Sequence, residues 1–155
     1  MYEVEIREIP SLQLLQLPHR GAYIKIGAVF EKLWGALASQ QRAMDGREMI
    51  GVYYDDPSSV EEQNLRSCAG VTALAGETPA SPLQPLEVRG GTYAVLRHKG
   101  PYVDMAAAYQ WLYGEWLAKS GREVDDAPAV EAYLNTPMDT PPTELLTEIR
   151  MPLKG

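Results

Sequence analysis

The chain has 155 residues, 45% hydrophobic and 23% charged, which suits one soluble globular domain with a real core. Fourteen Lys and Arg against 21 Asp and Glu leave a net charge of −7. That balance argues against direct binding of nucleic acid, which needs clustered cations, and favours cationic ligands through long-range attraction.

A single cysteine, Cys68, excludes an internal disulfide and fits a reducing compartment. No basic stretch followed by an apolar one opens the chain, and no apolar run reaches membrane-spanning length. The expected location is the cytoplasm, away from membranes.

In chain order, alternation over residues 2–7 predicts a first strand and residues 12–17 a second, with Pro10-Ser11 between them. Gly21 marks a break before a helix. Ile26, Val29, Phe30, Leu33, Trp34 and Leu37 fall at i, i+3, i+4 on one face of it, and Asp45-Gly46 is its expected stop. Strands follow at 50–55 and 65–74, separated by a turn at 56–59. Residues 75–85, rich in Pro, Gly and small side chains, read as a link. Two strands at 86–89 and 92–98 flank Gly90-Gly91, a hairpin signal. A second helix is predicted over 103–119, with Met105, Tyr109, Leu112, Tyr113 and Trp116 as its stripe and Ser120-Gly121 as its C-cap. The last strands are 130–135 and 145–153.

The chain repeats itself. His19-Arg20-Gly21-Ala22-Tyr23 returns as His98-Lys99-Gly100-Pro101-Tyr102, 79 residues later (19 to 98). Val52-Tyr53-Tyr54-Asp55-Asp56-Pro57 returns as Ala132-Tyr133-Leu134-Asn135-Thr136-Pro137, 80 residues later (57 to 137). The helix stripes superimpose too: Phe30 on Tyr109, Leu33 on Leu112, Trp34 on Tyr113. Two motifs recurring in order predict a duplicated α+β unit, with repeats at about 1–74 and 83–155 in a single domain. Neither half can bury its apolar face alone, so the halves are expected to join around a pseudo-twofold axis as eight strands and two helices.

The copies differ most in charge. On the third strand of the second copy, Val130, Ala132 and Leu134 alternate with Glu131 and Tyr133. The apolar set is expected to face the helix, and the tyrosine face to line a concave cleft. Glu131 stands where the first copy has Gly51, and Glu148 where it has Cys68. Glu131 reads either as a solvated strand carboxylate or as a carboxylate on the floor of an aromatic cleft, paired with a ligand cation or a tyrosine hydroxyl.

Three runs carry a family resemblance. They are residues 51–57 (GVYYDDP) with Leu65-Arg66; residues 90–95 (GGTYAV) with 97–102 (RHKGPY); and residues 131–135 (EAYLN) with 144–148 (ELLTE) and Met151-Pro152. Together they resemble the gyrase-inhibitor-like small-molecule-binding family over nearly the whole chain. That family includes the DNA gyrase inhibitory protein and the effector-binding domains of AraC-type and multidrug-responsive regulators. The resemblance implies a pseudo-twofold pair of β-α-β-β motifs, an eight-stranded curved antiparallel sheet with a central cleft, and binding of amphipathic, often cationic, small molecules. A buried glutamate commonly answers the ligand's charge there, and Glu131 matches it by position. Some members hydrolyse reactive cyclopropane-bearing compounds with a glutamate and a tyrosine. Unlike the regulators, the chain reads as starting at its first strand, so a helix-turn-helix and direct transcriptional control are not expected of it.

For cation binding, an aromatic wall contributes roughly 0.5–2 kcal/mol per good contact, and a partly desolvated carboxylate adds a Coulomb term. Candidate ligand-binding residues are Glu131, Tyr133, Tyr53, Tyr102, Trp111, Glu148, Tyr109 and Tyr113. Some have a plainer reading: Tyr109 and Tyr113 as core, Tyr102 as a structural part of the Gly-Pro corner. Trp111 lies off the stripe and reads as partly exposed, as a homodimer contact or as cleft wall. Glu148 either supports Glu131 or pairs near Arg150. As a hydrolase, the protein would use Glu131 as general base, which asks for a carboxyl pKa raised by burial. A third expectation is a protein contact that restrains DNA gyrase. One Cys and two His make no zinc spacing, and no phosphate loop is present, so no metal or cofactor is expected.

Overall fold

In the computed structural model, which describes residues 2–155, the strands are β1 (Glu3–Ile9), β2 (Leu12–Arg20), β3 (Met49–Tyr53), β4 (Arg66–Thr72), β5 (Gln84–Val88), β6 (Gly91–Lys99), β7 (Ala129–Tyr133) and β8 (Leu146–Pro152). The first helix is α1 (Ile26–Ser39). The second runs unbroken through α2 (Met105–Gln110), a π-helical stretch (Trp111–Trp116) and α3 (Leu117–Ser120). The fold is α+β, with eight antiparallel strands and two helices among the described residues.

The chain divides into two compact units. An N-unit is Ser11–Arg89; a C-unit is the segment up to Pro10 together with Gly90–Gly155. The C-unit orders its strands β1-β6-β8-β7 and the N-unit β3-β4-β2-β5. The units are therefore offset by one strand from the sequence repeats: β1 pairs with β6, and β5 with β2.

This offset corrects the expected hairpin at Gly90-Gly91. Both edges of β6 are taken, by β1 and β8, while β5 lays Val88 and Leu86 against Leu12 and Leu14 of β2. The glycine pair instead lets the chain pass from one unit to the other, with Gly91 at φ +136°.

Helix α1 also ends earlier than expected. It stops at Ser39, because Gln41 takes a left-handed conformation (φ +57°) and the Arg42 N–H closes back on the Leu37 carbonyl at 2.9 Å. The second helix ends as expected, with Gly121 left-handed at φ +73°.

In the C-unit the core joins Ala94 and Leu96 of β6, Ile149 and Met151 of β8, Leu153, and Met105, Ala108 and Leu112 of the helix. That assignment reverses the expected facing of β7. Glu131 stands opposite Ile149 and Tyr133 opposite Thr147, so both share the helix-bearing face. Val130 and Ala132 are opposite Arg150 and Glu148, on the other face. The longer apolar alternations of β6 and β8 decide which face meets the helix, and register then fixes β7. Leu134, expected inside, is exposed.

Candidate functional site

Glu131 is buried, 7% exposed, at the centre of five-residue β7. Stripping water from a carboxylate costs several kcal/mol unless hydrogen bonds replace it. Two phenols do so. Tyr109, from helix α2, donates to Oε2 at 2.6 Å, and Tyr133, two residues along the same strand face, donates to Oε1 at 2.6 Å. Distances this short are typical of hydroxyl donors to an ionised oxygen.

Aromatic rings extend the cluster outward. Tyr102, in the 3-10 turn before α2, meets the Tyr133 ring edge-on at 5.9 Å, and Tyr113 stacks on Tyr109 at 6.1 Å. Tyr102 and Tyr113 are each 37% exposed, so the cluster runs from a buried anion to accessible ring surface. Burial pushes the Tyr102 phenol pKa up, and the negative charge of Glu131 adds to the shift.

The negative charge is thereby shared with two phenol oxygens and walled by aromatic faces. Such an arrangement suits a bulky, weakly hydrated cation: ring faces attract it, and the carboxylate attracts it without demanding a small, fixed geometry.

The other candidates lie elsewhere. Glu148 is buried on the opposite face of the C-unit sheet. It accepts Arg150 at 2.9 and 3.2 Å and Arg7 at 3.3 and 3.4 Å, with Arg97 at 3.5 Å. Burial alone would raise its pKa, but the Arg150 and Arg7 guanidiniums outweigh that and hold it below the usual value. Of the two readings, it follows the pairing with Arg150.

Trp111 packs against the C-unit core with its ring 5.3 Å from that of Tyr2. Tyr53 belongs to the N-unit and meets the Tyr23 ring at 4.8 Å. Among the described residues no group of three or more His, Cys, Asp or Glu is placed to hold a metal ion, and no helix is long and apolar enough to cross a membrane.

The sequence offers Tyr109 both as a ligand-binding candidate and as core, and it does not single out which tyrosine hydroxyl meets Glu131. The difference between the two copies carries the signal. The first copy has Phe30 for Tyr109 and Gly51 for Glu131, losing donor and acceptor together.

A family model described as the GyrI-like small molecule binding domain matches residues 2–154. The chain belongs to that family. The probable transcriptional regulator YgiV of Escherichia coli (strain K12) is 25% identical over 154 residues, covering 97% of this chain and 96% of its own. The EcmrR C-terminal domain superimposes with a TM-score of 0.78 at 18% identity, over 99% of this chain and 98% of that one. SAV2435, solved bound to tetraphenylphosphonium, superimposes with a TM-score of 0.67 at 19% identity, over 99% and 94%. These two likenesses show a common fold.

Proposed function

We propose that this GyrI-like protein binds amphipathic cations, with Glu131 as the counter-charge and the tyrosines around it as the wall. The observation that carries the reading is a buried carboxylate held by two phenols, with exposed tyrosine rings beside it. The tetraphenylphosphonium held by SAV2435, a protein of like fold, supports it. A lone cysteine fits the reducing cytoplasm, where we place the protein.

Binding is favoured over general-base hydrolysis. Each oxygen of Glu131 already accepts a phenol hydrogen, so its lone pairs are partly committed to charge storage rather than to a water molecule.

Calorimetric titration with tetraphenylphosphonium tests the reading. At about 5 Å and an effective dielectric constant of about 20, a unit charge pair is worth about 3 kcal/mol, so Glu131→Gln should weaken binding by up to roughly 100-fold. Equal affinity in both proteins contradicts it.

A further inference from the structure

The two copies of the His-x-Gly-x-Tyr corner differ in one respect. In both, the histidine Nε2 lies 3.1 Å from the carbonyl three residues on: Ala22 for His19, Pro101 for His98. In both, the glycine N–H donates at 2.8 Å to a leucine carbonyl, Leu65 for Gly21 and Leu145 for Gly100. The tyrosines then part company.

The Tyr23 hydroxyl is spent on the backbone. It accepts the Asp55 N–H at 2.9 Å, and its own hydrogen faces the carbonyls of Asp55 at 2.9 Å and Arg66 at 3.1 Å. Tyr102 is the same residue of the motif, yet its hydroxyl makes no hydrogen bond among the described residues, and its ring lies farther from its partner tyrosine (5.9 Å against 4.8 Å).

Asn135 replaces Asp55 here. Each side chain accepts the same turn N–H, Asp55 from Arg66 at 2.7 Å and Asn135 from Leu146 at 2.8 Å, and the Asn135 amide also donates to the Glu144 carbonyl at 3.1 Å. In the second copy the turn keeps its side-chain clamp without a bond from the tyrosine. Tyr102 leans on Tyr133, which binds Glu131. The Tyr109 and Tyr133 hydroxyls already donate to Glu131, so Tyr102 alone of the three carries a hydroxyl with no donor role to the carboxylate.

We infer that the Tyr102 hydroxyl is the specificity group of the site: it hydrogen-bonds a polar substituent of the bound cation and selects aromatic cations that bear N–H or O–H groups over those that bear none. This rests on the cation-binding reading above and narrows its ligand class. A phenol both donates and accepts, so it can meet an amine or a hydroxyl. At a half-exposed position it loses little hydration while it waits.

The test compares two cations, ethidium, which carries two aromatic amines, and tetraphenylphosphonium, which carries no hydrogen-bonding group. In Tyr102→Phe the ratio of ethidium to tetraphenylphosphonium affinity should fall about two- to tenfold, the worth of one hydrogen bond. Tyr23→Phe should lower thermal stability and leave that ratio unmoved. A ratio unchanged in Tyr102→Phe, or changed equally in Tyr23→Phe, overturns the inference while leaving cation binding intact. If the wild-type protein binds neither cation, the cation-binding reading fails and the inference fails with it.

Discussion

Tyr109→Phe isolates one of the two hydrogen bonds that make a buried Glu131 tolerable. Phenylalanine is a fair probe, because the first copy carries Phe30 at the matching position on its own helix. The bond is 2.6 Å long to a carboxylate that is 7% exposed. Hydrogen bonds to charged groups contribute about 1.5–3 kcal/mol, and retention of the Tyr133 bond lowers the expected loss to about 1–2 kcal/mol. For a chain of this size that is roughly 3–6 °C in Tm. Urea unfolding at pH 7 of wild type, Tyr109→Phe, Glu131→Gln and the double variant closes a mutant cycle, and the coupling between the two positions should be about 1 kcal/mol or more. Changes that add to within about 0.3 kcal/mol would refute the claim that this phenol stabilises the carboxylate.

Three further outcomes follow from the N-unit. Glu77 receives Arg47 through two bonds of 2.6 Å and Arg42 at 3.1 Å, which hold its carboxyl pKa down at about 2. A depressed folded-state pKa stabilises above the unfolded value of about 4.5 and loses that contribution as pH falls toward 2, so acid titration of Tm should drop through that window by more in wild type than in Glu77→Gln. Gln41→Gly relieves a left-handed glutamine on an exposed turn and should raise stability by up to about 1 kcal/mol in urea unfolding; a loss of stability would contradict the strain. Burial pushes the Cys68 thiol up to about 11, so iodoacetamide at pH 8 should label it only after denaturation, and rapid labelling of folded protein would show an accessible thiolate.

The elements were legible wherever local pattern decides them. Residue alternation and the 79–80 spacing located eight strands and two helices, and Gly121 marked its helix end. Long-range choices were not legible. The Gly90-Gly91 step looks like a hairpin locally, yet the partners of β5 and β6 come from elsewhere in the chain. The face that Glu131 shares with the helix depends on register with Ile149, which β7 alone does not encode.

The site divides the same way. Glu131 and Tyr133, two apart on one strand, had to share a face, whichever face that was. Tyr109 looks like any other stripe residue until the helix is docked, and Trp111 looks free until Tyr2 reaches it. Glu148 pairs with Arg150 two residues along its own strand, which the sequence offered, and it also takes Arg7 and Arg97 from β1 and β6, strands that sequence order does not set beside it.

The central claim is that a negative charge, and not the aromatic surface alone, selects the ligand. Tetraphenylphosphonium and tetraphenylborate have the same shape and opposite charge, so their relative affinities by equilibrium dialysis read that charge directly. Wild-type protein should retain the phosphonium and exclude the borate, and Glu131→Gln should bring the two together; equal retention of both ions by wild-type protein would contradict the account.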